Sequence, residues 1–500
     1  MQWVSRAMRL MTFATMAATW FALAADGREV TLAQAFDIAL NRTGQGQIID
    51  GNLEVAEQKY FAERINFYVP EISINGSLPA YNVNETYDFF PGTDIKGFGR
   101  STRFNLDADI TLKQNLITGG DLTLAANLVR NEWDYPLRRS RLIDGDTVFL
   151  SRTVDENRRL GTFRFSLQQP LLQPSTPRFE LHNARDDLAL AKLSRVENIE
   201  ALKRDVIEAY FGTLVARIDV QIADDALQSA RLAAEIDSLK LIDAVIDEEA
   251  WLESASARLD AELDQLEREN ALSDQRRALA VLLAWDDEEP PEPVTPQSVA
   301  SLSDDEQRAY IMNWTESTPV RRAQYEYQKA ERAAGFAAGS HGLNGSLSAS
   351  YGLERGTVED DIVGFTQTED LQTNSWSVSL NFSYPLWDGG ASSAEVRAAQ
   401  LSQEQAHLEV EKVHKSAQAD IIAQIDQANL AYRKLDVLNR QIDIARQKLD
   451  IALGRFEDGQ ISKLTLLEDR IAFREARKKY LEQVRDYYRS RVELEGNYGI

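Results

Sequence analysis

Two kinds of hydrophobic pattern follow one another along the chain. In several segments apolar and polar residues alternate with a period of two, which predicts half-buried strands. In the first half of the chain the apolar positions are Phe104, Leu106, Ala108, Ile110 and Leu112, then Leu122, Leu124, Ala126 and Leu128, then Phe163, Phe165 and Leu167. In the second half they are Leu347, Ala349, Tyr351 and Leu353, then Trp376, Val378, Leu380, Phe382 and Tyr384. We therefore predict strands at 71–81, 104–114, 121–130, 162–169, 343–353 and 376–384.

Each set of strands is followed by a long segment with helical periodicity and no proline. We predict long helices over 178–246 and 391–458, each followed by a shorter returning helix, at 251–285 and 463–498. In the second long helix the apolar residues recur with a mean spacing of about 3.5, the coiled-coil period. Such a helix extends roughly 100 Å. It therefore needs neighbours along its whole length, from its own chain and from other copies.

The same order of elements occurs twice. Ile74-Asn75-Gly76-Ser77-Leu78 recurs as Leu343-Asn344-Gly345-Ser346-Leu347, and Gln169-Pro170-Leu171 recurs as Tyr384-Pro385-Leu386. The offset falls from 269 to 215, which indicates 54 additional residues in the first copy. We predict two internal repeats joined by an acidic, proline-rich linker. The boundaries are a first repeat at 25–285 with an extra hairpin near 104–130 and a helical hairpin at 178–285, the linker at 286–303, and a second repeat at 304–500 with a helical hairpin at 391–498.

The spacing between the strands separates two architectures. Gly119-Gly120 predicts a tight turn, whereas 83–103, 131–161 and 354–375 are long and polar and are predicted to be loops. A soluble sandwich could show the same alternation. Short turns on one side and long loops on the other are typical of an outer-membrane β-barrel, which we favour.

The N-terminus predicts export. Arg6 and Arg9 precede an apolar stretch that ends in Ala22-Leu23-Ala24, the pattern of a cleavable signal peptide over 1–24. The stretch is shorter than a spanning helix needs, which disfavours an uncleaved anchor. The chain has no cysteine, so disulfides, thiolate metal sites, a cysteine nucleophile and a lipoprotein anchor are excluded.

The charge and the remaining chemistry exclude further classes. Lys and Arg number 55 against 79 Asp and Glu, a net charge of −24, and nucleic-acid binding requires the opposite sign. The four histidines, His182, His341, His407 and His414, lack zinc-binding spacing, and Asp144, Asp146 and Asp155 lack the calcium-loop pattern. We predict no metal, no cofactor and no enzymatic activity.

Three segments, in this order, resemble the TolC family of outer-membrane efflux proteins. They are 31–40, which opens the first repeat, the junction Tyr384-Pro385-Leu386-Trp387-Asp388-Gly389-Gly390, and the closing hairpin from Arg455 to Gly459 with 464–469. The resemblance implies an α+β membrane protein: a homotrimer whose shared β-barrel lies in outer-membrane lipid and continues as a periplasmic α-helical coiled-coil barrel. It also implies a periplasmic adaptor protein and an inner-membrane pump or secretion transporter as partners.

The resemblance also assigns roles to the helical tips. The adaptor-contact turns correspond to Ala244, Val245 and Ile246, where the family's usual glycine is absent, and to Gly459, Gln460, Ile461 and Ser462. The periplasmic constriction corresponds to Phe456, Ile461, Thr465, Glu468 and Trp251. Of the acidic ring that family members carry there, Glu468 keeps the charge and Thr465 does not. Phe456, Ile461 and Trp251 stand where family members often carry the polar side chains that latch the closed tip, so the resemblance favours an apolar constriction over a salt-bridge latch.

The resulting prediction is the exit duct of a tripartite efflux pump for small molecules. A type I protein secretion duct and a structural or adhesive trimeric coiled-coil protein of the envelope are the alternatives. A TolC-like protomer contributes four strands to the barrel. The extra hairpin predicts six strands in this chain and a wider barrel, unless the hairpin folds outside the membrane.

Overall fold

The computed structural model describes residues 29–89, 96–143, 146–286, 289–296, 298–362 and 365–498. The predicted signal peptide at 1–24 lies outside the described residues. The described residues group into two compact units. The helical unit lies within Met1–Glu54, Ala191–Gln324 and Val410–Ile500, and the sheet unit within Val55–Leu190 and Tyr325–Glu409.

Long helices dominate the secondary structure, and two of them have 67 residues each. None of the described helices is long and apolar enough to cross a membrane. The helices are α1 (Leu32–Asn41), α2 (Gly44–Tyr68), α3 (Thr176–Ile242), α4 (Glu248–Leu282), α5 (Asp304–Met312), α6 (Thr318–Ser340), α7 (Ala391–Glu457) and α8 (Lys463–Tyr498), with a 3-10 turn at Trp314–Glu316. The strands are β1 (Glu29–Val30), β2 (Glu71–Phe89), β3 (Lys96–Asn115), β4 (Asp121–Ile143), β5 (Asp146–Pro170), β6 (Glu292–Pro293), β7 (Asn344–Ile362) and β8 (Phe365–Ser383).

The predicted helix ends shift because capping interactions select them. Asp247 accepts a hydrogen bond from the Ala250 amide at 3.0 Å, so α4 begins at Glu248 rather than at residue 251. At its other end Ala284 adopts a left-handed conformation with φ 45°, and the Trp285 amide donates to the Ala280 carbonyl. This closing motif ends α4 at Leu282, three residues before the predicted end.

The core of the helical unit lies where the two helical hairpins meet. Ile207, Phe211, Leu279 and Val484 are buried there with residues of α1 and α7. The predicted linker contributes to this core, since its strand β6 pairs in parallel with β1. The Tyr210 hydroxyl lies 2.9 Å from the Val30 carbonyl oxygen and accepts a hydrogen bond from the Val294 amide, which ties both strands to α3. Burial raises the pKa of Tyr210 to about 12.

The sheet unit contains one antiparallel sheet in the order β2-β3-β4-β5-β7-β8. The sequence predicts six strands, and this sheet contains six. The predicted hairpin turns at Gly119-Gly120, where Gly119 has φ 90° and the Leu116 amide donates to the Gly120 carbonyl at 2.8 Å. The predicted strands are too short, however. The prediction of long loops at 83–103, 131–161 and 354–375 is wrong, because the strand pairing continues through most of these residues.

The loop prediction fails because apolar and polar residues alternate along a strand only where one of its faces lies in apolar surroundings. Beyond that region both faces of a strand carry polar residues, yet the backbone hydrogen bonds continue. β4 and β5, for example, pair without interruption from Asp121 and Gln168 to Ile143 and Asp146.

Apolar side chains align on one face across all six strands. One row of directly paired residues is Ile72, Leu112, Leu124, Phe165, Tyr351 and Trp376. The next is Ile74, Ile110, Ala126, Phe163 and Leu353, with the polar Asn374 as its partner on β8. On the opposite face one row is Asn75, Asp109, Asn127, Thr162, Glu354 and Thr373. Because paired residues share a face, this part of the sheet has one apolar and one polar surface.

A carboxylate begins α7 after the end of β8. Asp388 accepts hydrogen bonds from the backbone amides of Gly390 at 2.9 Å and Ser392 at 2.8 Å. Gly389 and Gly390 both have positive φ, which lets the chain turn back toward the carboxylate. The Ser392 and Gly390 hydrogen bonds lower the pKa of Asp388 to about 2.

We expect the cap to fail in acid. The folded-state pKa lies below the ordinary 3.8, so the stabilisation is present above pH 3.8 and is lost as pH falls toward about 2. Asp388→Ala should speed hydrogen exchange of the Ser392 amide at neutral pH, and the ratio of variant to wild type should approach one near pH 2. A ratio that does not change with pH would contradict this role of the carboxylate.

Candidate functional site

Side-chain contacts in the helical unit fix the order α4-α3-α8-α7 for its long helices. Thr213 on α3 donates to the Gln275 carbonyl of α4 at 3.3 Å. Lys478 on α8 contacts Asp219 on α3 at 2.7 Å. The rings of Tyr432 on α7 and Tyr487 on α8 lie 5.7 Å apart. The helices α4 and α7 are therefore the two ends of this four-helix layer.

The central contact of the layer is an ion cluster between α3 and α8. Asp225 is 1% exposed and pairs with both Arg470 and Arg474, the latter at 2.8 Å. Arg474 also donates to the Gln221 carbonyl. Burial lowers the pKa of Arg474, and the nearby Asp225 carboxylate opposes this effect. A buried carboxylate needs such cations, because an unpaired charge in this position is costly.

Both end helices expose a regular apolar stripe. On α7 Leu430, Val437, Ile444 and Ile451 recur every seven residues, and each is between 54% and 58% exposed. On α4 Leu252, Leu259 and Leu266 recur with the same spacing and are 52% to 57% exposed. A seven-residue repeat is the spacing of a coiled-coil seam. We name these the α7 stripe and the α4 stripe.

The α7 stripe differs from the set of apolar residues whose spacing of about 3.5 predicts this helix from the sequence. Those predicted positions include Ala417, Ile421, Ile425, Ala428, Leu435 and Ala452, and they are buried. Ile421, Ile425 and Ala428 belong to a second core with Leu494 and Tyr498 of α8. One face of α7 thus packs within the chain, and a second apolar face is exposed.

The two turns between the long and short helices have the same closing motif. At the first, Ala244 has φ 53°, and the Val245 amide donates to the Lys240 carbonyl at 2.8 Å. At the second, Gly459 has φ 70°, and the Gln460 amide donates to the Arg455 carbonyl at 2.7 Å. The missing glycine at the first turn therefore leaves the turn intact, with an alanine in a conformation that costs about 1 kcal/mol or more.

The two tips differ in the surface that they present. Ile242 is 78% exposed and Val245 is 69% exposed, so the first tip is apolar. At the second tip Gln460 and Ser462 are exposed and polar. The Ser462 hydroxyl accepts from the Thr465 amide at 3.2 Å and begins α8.

Residues 316–499 match the family described as outer membrane efflux protein. This segment is similar to that family. No curated protein matches the chain in sequence. The fold is that of solved outer-membrane channels, although sequence identity to them is low. These include the Campylobacter jejuni CmeC channel (13% identity, TM-score 0.56, covering 94% of this chain and 85% of that one) and VceC from Vibrio cholerae (14%, 0.54, 93% and 96%). The open-state MtrE channel of Neisseria gonorrhoeae is similarly related (16%, 0.52, 93% and 88%).

Within the segment that matches this family, four of the five predicted constriction residues lie around the α7–α8 turn. Phe456, in the last turn of α7, is 38% exposed. Thr465 and Glu468, in the first turns of α8, are exposed, and Ile461 is half-buried between the helices. The fifth, Trp251, is half-buried in the first turn of α4, on the other hairpin. Among the described residues, no three potential metal ligands of the Asp, Glu or His type cluster closely enough to hold an ion.

Sequence reasoning did not identify the ion cluster or the two exposed stripes. Arg470, Arg474 and Lys478 are spaced by four, which puts them on one face of α8, and this basic stripe was the available signal. Its partners Asp219 and Asp225 are more than 240 residues earlier in the sequence. A charge row of this kind is ordinarily solvated, so only the fold identifies it as a contact between hairpins.

Removing the buried carboxylate should weaken the contact between the two hairpins. We expect Asp225→Ala to destabilise the protein by about 3 kcal/mol, since two arginines then lose their buried counter-charge. The melting temperature of the detergent-extracted protein measures the effect. Asp436→Ala removes a carboxylate from an exposed pair with Arg440 on α7 and should cost less than about 0.5 kcal/mol. Equal effects of the two substitutions would contradict the role given to Asp225.

Proposed function

We propose that three copies of this chain form an outer-membrane channel, the exit duct of an efflux pump for small molecules. The match of residues 316–499 to the outer membrane efflux protein family and the fold shared with solved outer-membrane channels support this function. The observation that carries it is the pair of exposed stripes at the two ends of the helical layer, because a ring of copies would bury both. Three is the number of copies that the TolC resemblance implies.

The stripes suit a seam in which α4 of one copy packs against α7 of the next. Each side chain is about half exposed, so burial contributes roughly 1 kcal/mol apiece and several kcal/mol per seam. Apolar residues seven apart on both partners allow their side chains to interdigitate. Contact between α4 and α7, unlike contact between two copies of one helix, repeats in one direction and can close a ring.

Cysteines can test the seam directly, because the chain has none of its own. We expect Leu259→Cys, combined in turn with Val437→Cys, Ile444→Cys or Ile451→Cys, to give a disulfide-linked trimer for at least one combination after mild oxidation. Arg446→Cys, also exposed on α7 but outside the stripe, should give none when combined with Leu259→Cys. Trimers are detected on non-reducing gels. A purely monomeric pattern in all combinations would refute the assembly.

The sheet has the amphipathic character that a membrane wall requires. Its apolar face carries exposed residues such as Ile74, Leu128, Trp376 and Phe382, each at least 60% exposed. Its other face is lined by hydroxyl, amide and carboxylate groups. We infer that the apolar face contacts outer-membrane lipid and that the polar face lines a water-filled lumen.

We infer that the adaptor contacts the helical tips, and that the apolar first tip contributes most of the binding energy. Val245→Asp should abolish drug resistance supplied by the channel in cells that contain the cognate adaptor and pump, because a carboxylate would be buried in the contact. Gln460→Asp, at the matching position of the polar second tip, should have a small effect. Minimum inhibitory concentrations measure both variants. Wild-type resistance with Val245→Asp would remove this tip from the contact.

Glu468 is proposed to face the lumen at the constriction, where three symmetry-related carboxylates would attract cations. Glu468→Gln should reduce cation selectivity in planar bilayers. Asp264→Asn, which removes a carboxylate paired with Arg268 on α4, serves as the control and should leave selectivity unchanged. An unchanged reversal potential in Glu468→Gln would place the carboxylate outside the conduction path.

A further inference from the structure

The sheet has two unpaired edges that are suited to each other. Among the strands that the structure describes, β2 and β8 each pair on one side only. Both have 19 residues. Neighbouring strands alternate in direction, so with six strands β8 runs opposite to β2. A second copy of the chain placed beside the first therefore brings its β2 antiparallel to β8, the orientation that continues the sheet.

The two edges also agree in which face is apolar. On β8 Trp376, Val378, Leu380 and Phe382 are exposed at alternate positions of the apolar face. On β2 Ile72 and Ile74 lie on that face and are 66% and 75% exposed. The pairing of β2 with β3 shifts between Ser77 and Ala80, and this bulge restores Tyr81 and Val83 to the same face. Pairing between copies would therefore continue both surfaces without a mismatch.

The strands of the hairpin β3–β4 are paired on both sides within the sheet, like its other internal strands. Their residues occupy the second and third places of both apolar rows, for example Leu112 and Leu124 between Ile72 and Phe165. On the polar side the Asp109 carboxylate accepts a hydrogen bond from the side-chain amide of Asn75 on β2 at 3.1 Å. A hairpin that folded outside the membrane would leave β2 separated from β5, yet here β3 and β4 are the strands that connect them.

We propose that three copies close an 18-stranded wall through pairing of β8 with the β2 of the next copy, and that β3–β4 is part of this wall. This inference rests on the trimer of the proposed function and goes beyond it. With strands about 4.8 Å apart and tilted about 40°, the circumference is roughly 110 Å and the diameter roughly 35 Å. That circumference is 1.5 times that of a wall with four strands per copy at the same tilt. Its polar lining suits hydrophilic cargo.

The experiment links β2 of one copy to β8 of the next by disulfides. It is done on protein whose trimers have already been detected by the cysteine test of the α4–α7 seam. Ile74→Cys on β2 is combined in turn with Trp376→Cys, Val378→Cys, Leu380→Cys or Phe382→Cys on β8. In parallel Ala126→Cys, on the same face of the internal strand β4, is combined with the same four. We expect covalent trimers in at least one combination with Ile74→Cys and in none with Ala126→Cys.

The other outcomes separate the wall from the function. Links through Ala126→Cys, or no β-strand links in a chain that still forms trimers through α4 and α7, would overturn the 18-stranded wall and leave the duct intact. Failure of the helical links as well would overturn the proposed function.

A second measurement checks the hairpin itself. Leu128→Cys and Asn127→Cys lie next to each other on β4, on the apolar and the polar face respectively. In the proposed wall a lipid-soluble maleimide labels the former and a water-soluble maleimide labels the latter. Aqueous labelling of both positions would show that the hairpin lies outside the membrane.

Discussion

The structure depends on one constraint. A single chain can neither bury the exposed apolar faces of its long helices nor pair the two edge strands of its sheet. A helix of 67 residues with apolar residues around much of its circumference must be covered along its length. An antiparallel sheet with an exposed apolar face and two free edges invites further pairing. In an isolated copy, α4 and α7 expose leucine, isoleucine and valine at seven-residue intervals, and β2 and β8 expose backbone hydrogen-bonding groups. The proposed ring of copies would resolve both at once.

Within one copy, the contacts that hold the layer together differ from those left at its ends. The contact between α3 and α8 uses Asp225, buried and paired with two arginines, together with Asp219 and Lys478. Such pairs fix the position of one hairpin against the other, because a displaced partner leaves a buried charge unpaired. The outer stripes consist of apolar residues at a seven-residue repeat and contain no charge that would fix a single register. We infer that the charged contact sets the geometry of the protomer, and the apolar stripes supply the affinity between copies.

The sequence predicts strands and turns well where one structural requirement determines the local residue pattern. The alternation from Phe104 to Leu112 and from Leu122 to Leu128 predicts β3 and β4, because these strands have one apolar face. The turn at Gly119-Gly120 and the glycine at 459 are local requirements of the backbone. The extension of the strands into 131–161 and 354–375 could not be predicted in this way, because strands that are polar on both faces have no alternation.

The candidate sites were harder to predict than the fold. Asp225 is an ordinary helical carboxylate until α8 brings Arg470 and Arg474 to it. The α7 stripe lies on the same helix as the buried positions from Ala417 to Ala452. The average spacing of the apolar residues along this helix therefore does not distinguish the exposed face from the buried one. Ala244 breaks the expected glycine pattern, although the turn that it forms has the hydrogen bonds of the turn at Gly459. The roles of Phe456, Ile461, Thr465, Glu468 and Trp251 stay predictions, since they depend on neighbouring copies.

In the proposed assembly the chain is one segment of a closed ring whose seams join α4 to α7. Electron cryomicroscopy of the protein in lipid nanodiscs tests it most directly. We expect a three-fold particle with a ring of twelve long helices, in which Leu259 and Leu266 of each α4 face the Val437-to-Ile451 stripe of the neighbouring α7. A monomeric particle, or a seam in which α4 meets α4 or α7 meets α7, would contradict it.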